Sequence, residues 1–212
     1  MSSSLSSDHP YAGGIRAMFR TALVIFVVTV SIGILNGTDL VNFDHQALMG
    51  HVHSGTLGWI SLSVFAASLW LFGESGSVGW HARIAQFLPA SAIVAVLAYV
   101  GAFFLTTDVR RPIAGSLALV VVIAFLVWVA AQSRNVILSV PRLGVLAAVA
   151  TLAVGAVLGV LLGLEQAGSI DFMPSGASSA HPAAMVVGFL IPMGMALTEW
   201  RLTPERANVV AD

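Results

Sequence analysis

The chain has 212 residues, of which 58% are apolar and only 9% charged, with nine basic and ten acidic side chains and a net charge of −1. Soluble domains are about 45–50% apolar and about 25% charged. So few charges cannot coat a soluble protein of this size, and the composition is that of an all-α, polytopic membrane protein. The near-neutral balance excludes an electrostatic nucleic-acid binder. With no cysteine, disulfides, thiolate metal sites, iron–sulfur clusters and thiol nucleophiles are also excluded. Any metal or cofactor chemistry must rest on the six His, the seven Met and a few carboxylates.

Residues 1–14 are Ser-rich, with Pro10 and the pair Gly13 and Gly14, and read as a flexible polar tail. They lack the short apolar core and small-residue cleavage site of a signal peptide. Six apolar stretches follow at 17–35, 47–72, 84–105, 113–131, 143–164 and 182–200. Each approaches or exceeds the ~20 residues that cross a bilayer as a helix. Continuous apolarity without a period of two excludes barrel strands. The expectation is a six-helix transmembrane domain over 15–203, with a short tail at 204–212. Small residues in the fifth stretch, from Ala147 through Gly155 to Gly159, suit close helix packing in lipid. Pro89 and Pro192 should kink the third and sixth helices.

The basic residues, all Arg, orient the bundle. Arg16, Arg20, Arg83, Arg134, Arg142, Arg201 and Arg206 fall on one side, against only Arg110 and Arg111 on the other. Both termini should therefore be cytoplasmic, in a cell (inner) membrane. Trp70, Trp80, Trp128 and Trp200 fall at the same inner level, as an interfacial belt does.

His51, His53 and His181 stand at the openings of the second and sixth helices, which run in the same direction. All three thus sit at similar depth towards the extracytoplasmic side. Imidazoles inside a charge-poor bundle are costly unless partnered. A hydrogen bond to a carbonyl or hydroxyl suffices for any one of them, and a metal or heme iron is a natural partner for a group of three. Two residues apart on a helix, His51 and His53 point ~200° from each other and cannot chelate one ion. The His51 face continues through Gly55 and Gly58, where a flat macrocycle could approach the backbone. His9, His45 and His81 lie in the tail, in a polar loop and on the inner side, and carry no assignment.

The run Gly50-His51-Val52-His53-Ser54-Gly55-Thr56-Leu57-Gly58-Trp59-Ile60 resembles a helix of the catalytic subunit of heme-copper oxidases, notably the C-type branch and the nitric-oxide reductases. In that family the first His of His-x-His ligates a high-spin heme and the second a low-spin heme. The other low-spin ligand comes from a helix four positions round the ring, where this chain carries His181 in the run Ala180-His181-Pro182-Ala183-Ala184-Met185. The resemblance thus implies heme b, one or two, with His53 and His181 as axial ligands and His51 as the ligand of any second heme. It also implies that Arg110 and Arg111 hold heme propionates, as forked donors do; an ordinary ion pair with Asp108 is the plain alternative. The chain departs from the family in having no His-His pair for copper, no His within its third to fifth stretches, and half the number of helices. Tyr11 lies in the tail, and Tyr99 stands in the third stretch without a His near it in sequence.

The expected function is that of a membrane cytochrome b-like protein, an oxidoreductase or a subunit of one, serving electron transport or binding of O2 or NO. Quinol or an external cytochrome would be the electron donor. The expected partners are the lipid bilayer and either further copies of the chain or other respiratory subunits, with no nucleic acid. Two alternatives stand beside it. One is a copper-handling protein using His45, His51 and His53 with Met49, Met173, Met185, Met193 and Met195. The other is a cofactor-free structural subunit.

Overall fold

A computed structural model describes residues 9–73, 79–134 and 139–203. Among these residues there is no strand, and six helices are long and apolar enough to cross a membrane. They are α1 (Ala12–Gly37), α2 (His45–Gly73), α3 (Trp80–Leu105), α4 (Arg110–Ser133), α5 (Val140–Gln166) and α6 (Ala177–Leu202).

Each helix runs beyond its apolar stretch, because polar residues at the ends continue the backbone hydrogen bonding. Three readings of the sequence change as a result. Residues 12–14 belong to α1, and just before them His9 stacks on Trp70 with ring centroids 5.1 Å apart and Tyr11 is buried edge-on to Trp128, while the rest of the expected tail, 1–8, lies outside the described residues. Arg110 and Arg111, which precede the fourth apolar stretch, form the first turn of α4. Pro182 lies inside α6, which begins at Ala177 without a side-chain cap. The expected tail at 204–212 lies outside the described residues.

The helices pack in chain order, with α1 against α2 and α3, then α3 on α4, α4 on α5 and α5 on α6. At the end away from the histidines α2 also reaches α4, where Phe65 and Phe125 stack at 4.2 Å. Between α2 and α6 there is next to no packing. The bundle is therefore an arc, closed at one end and open between α2 and α6 at the other. Asp44 caps α2 by accepting from the Ala47 amide at 2.8 Å, and Gln46 donates to the Phe104 carbonyl at 2.7 Å, tying the start of α2 to the end of α3.

Candidate functional site in the arc

The open part of the arc holds a cavity of about 400 Å³, lined by α2 to α6. Binding pockets for small molecules and cofactors are roughly 300–1,000 Å³. His53 and His181 both line it, from the two helices with next to no packing between them. Arg111 and His45 line it as well, and so do Tyr99 and Phe103.

Each of the three intramembrane imidazoles is anchored in the same way, through Nδ1 on a backbone carbonyl. His53 donates to Met49 one turn back at 2.8 Å, His181 to Gly155 on α5 at 2.8 Å, and His51 to Thr29 on α1 at 2.9 Å. A carbonyl can only accept, so Nδ1 carries the proton and neutral Nε2 keeps its lone pair. Among the described residues no group bonds to Nε2 of His53 or His181. This tautomer, fixed from behind by a carbonyl, is the form in which histidine ligates metals.

His53 is further confined by rings. Phe103 stacks on it with centroids 3.7 Å apart and planes 19° from parallel, and Tyr99 meets it edge-on at 5.7 Å. Tyr99 therefore does stand beside a histidine, contrary to the reading from its place in the chain, because α3 brings it across to α2. Arg111 lies over the other ring of the stack, 4.9 Å from the Phe103 centroid, and donates through Nη2 to the Phe103 carbonyl at 3.0 Å. Its Nε is buried and has no hydrogen-bond partner.

The two arginines separate. Arg110 makes the plain ion pair with Asp108, 2.9 Å apart, with both side chains more than half exposed. Its guanidinium and backbone N–H hold the Asp108 carboxyl down at about 2. Only Arg111 faces the cavity.

His51 does not line the cavity but turns to α1, where its ring packs over Gly33. Gly55 and Gly58 share that face. A Cβ on Gly58 would meet Ile25 at 2.8 Å, and one on Gly55 would meet Thr29 at 3.7 Å. The space foreseen there for a macrocycle is taken by α1, and the glycines let two helices close up. Among the described residues no three His, Asp or Glu side chains come together as a metal cluster. The cavity thus offers the imidazoles of His45, His53 and His181 and the cation of Arg111, and among the described residues no three of its side chains gather into one metal centre.

A repeat explains how two of the histidines are positioned. His51, Gly58 and Trp70 on α2 recur at one constant spacing as His181, Gly188 and Trp200 on α6. Each histidine is followed three residues later by a π-helical segment, Ser54–Ile60 in α2 and Ala184–Leu190 in α6. Each packs on the preceding helix alike: Gly58 on Ile25 and Gly188 on Thr151, with the histidine on the carbonyl one turn further and its ring over the glycine one turn beyond that, Gly33 or Gly159. That spacing was legible in the sequence and is the signal that pairs His51 with His181. His53 has Ala183 at its counterpart and is the addition that faces the cavity.

Comparison of the chain with protein-family models, with curated proteins and with solved structures found no match.

Proposed function

We propose that this chain is an integral membrane protein that binds one heme b between His53 and His181 and serves electron transfer. The observation that carries the reading is that His53 and His181, from two different helices, line one cavity, each with Nδ1 fixed on a carbonyl at 2.8 Å so that Nε2 keeps its lone pair. The resemblance of the His51 to His53 helix to the heme-copper oxidases points the same way.

The residues divide the work as follows. His53 and His181 would hold the group through neutral imidazole, and the Met49 and Gly155 carbonyls keep the two rings in orientation. Phe103 and Tyr99 exclude water from the His53 side. Arg111, with an unpaired buried Nε, suits a carboxylate at the edge of the cavity. Bound there, heme would supply one-electron redox chemistry, and two strong imidazole ligands favour a low-spin iron that passes electrons over one that binds O2 or NO. The site lies towards the end of the bundle expected to be extracytoplasmic. Quinol or an external cytochrome is the donor consistent with that placement.

The test is the reduced-minus-oxidised spectrum of the purified chain after heme supplementation. A sharp b-type band that is lost in His53→Ala and in His181→Ala, and kept in His51→Ala, is expected. No band in the unaltered protein rejects the reading.

One observation favours copper as a second reading: Met49 and Met185 line the same cavity as the two histidines. Imidazole and thioether together suit Cu(I). Against it, Met49 lies one turn nearer the open end than His53 and Met185 one turn deeper than His181, so the thioethers flank the imidazole level from opposite sides. Stoichiometric copper without iron in the purified protein would decide for this reading.

A further inference from the structure

At the end of the bundle away from the histidines, α3 and α4 leave between them a second hollow of about 300 Å³. Its floor is Leu88 and Val121, both buried, and its rims are Phe87 and Val120, 70% and 64% exposed. Apart from Ser91 the groove is apolar between its mouth and its far end, and it faces the surroundings of the bundle. Arg83 lines its mouth.

Among the described residues no acidic side chain stands at that mouth. Among the described residues Arg83, itself exposed, has no ion pair and no side-chain hydrogen bond. It stands in the first turns of α3, which has no acidic residue in its opening turn and no side-chain cap. A cation there opposes the positive end of the helix dipole and adds to the unsatisfied N–H groups. An anion would offset both. The level is also marked: Trp80, one turn before Arg83, is 56% exposed with its ring against His81 at 3.7 Å, as befits an aromatic side chain at a membrane interface.

We infer that this groove holds an acyl chain of an anionic phospholipid whose phosphate sits on Arg83. The apolar trough takes the chain, the small side chain of Ala124 leaves it room, and the unpaired guanidinium at interfacial depth selects the charge. The inference is independent of heme.

Quenching of Trp80 fluorescence by phospholipids brominated high on the acyl chain tests it on the full chain in detergent, with Trp80→Phe supplying the background of the other tryptophans. Brominated phosphatidylglycerol should quench at about fivefold lower concentration than brominated phosphatidylcholine. Arg83→Gln should bring that ratio close to one. Ala124→Leu, which fills the groove, should weaken both lipids several-fold. Arg201→Gln, at the same end of the bundle, should keep the preference. All variants are compared at matched helicity by circular dichroism. A preference that survives Arg83→Gln, or quenching by both lipids that is unchanged by Ala124→Leu, overturns the inference. So does a dimer that Ala124→Leu dissociates, since a second copy would then occupy the groove.

Discussion

Arg111 and Arg110 are neighbours in sequence and opposites in setting. Arg110 spends its fork on Asp108 in the open, where an exposed pair contributes little. Arg111 lies over Phe103 with a buried, unpaired Nε at the cavity. Under the proposed function Arg111→Ala removes charge-assisted hydrogen bonds worth ~1.5–3 kcal/mol each to a cofactor carboxylate. Heme should then leave the variant at least tenfold faster, measured by transfer to an apo-globin acceptor. Arg110→Gln should match the unaltered protein, and it should do so across the neutral range. The Asp108 carboxyl is held at about 2, so what its pair contributes is present at neutral pH and is lost only as acid protonates it. Equal rates in the two variants would remove Arg111 from the site. The sequence could not separate these arginines, because which side of a helix start faces a cavity depends on the neighbouring helix. The same blindness hid Tyr99 and Phe103, whose place beside His53 comes from the packing of α3 on α2.

Between single residues and the bundle stands the helical hairpin, built twice. α1 with α2 and α5 with α6 each lock a histidine to the preceding helix by one carbonyl and one glycine. The two copies make a matched pair of substitutions informative. A Cβ on Gly159 would lie 2.9 Å from Cε1 of His181, and one on Gly33 would lie 3.1 Å from Cε1 of His51. Either methyl must push its ring, at a cost near the ~1 kcal/mol of the hydrogen bond it disturbs. Under the proposed function Gly159→Ala should therefore weaken or abolish the b-type band, whereas Gly33→Ala should lower the Tm by a few degrees and leave the band in place. An equal spectral loss in both would mean that His51 also reaches the cofactor. The helices themselves were plain from hydropathy, since lipid demands length and apolarity of every span. Their π-helical segments were not, because one extra residue per turn leaves no trace in apolar periodicity. What that register does is visible at Ser61, whose hydroxyl donates to the Thr56 carbonyl at 2.9 Å, five residues back. The role foreseen for Gly55 and Gly58 failed to anticipate α1, since a glycine face serves a close helix as well as a flat ligand.

Across the whole molecule, the weak seam is the one the proposed cofactor would cross. α2 and α6 hold His53 and His181 yet scarcely touch each other at the cavity, while every other neighbouring pair of helices is packed. A group ligated from both sides would be the main tie across that gap. Anything that binds the folded state alone stabilises it by mass action, about 2.7 kcal/mol at a free concentration of one hundred times Kd. Hemin should accordingly raise the Tm of the purified chain in detergent, and the rise should be absent in His53→Ala and in His181→Ala. It should also slow backbone hydrogen exchange at the start of α2 and of α6 together, because one ligand restrains both. α3 and α4, already packed on their neighbours, should exchange at nearly unchanged rates near Trp80 and Trp128. Hemin that stabilised the histidine variants as much as the unaltered chain would be adsorbing to apolar surface, and a protection confined to α2 would leave His181 without a ligand to hold.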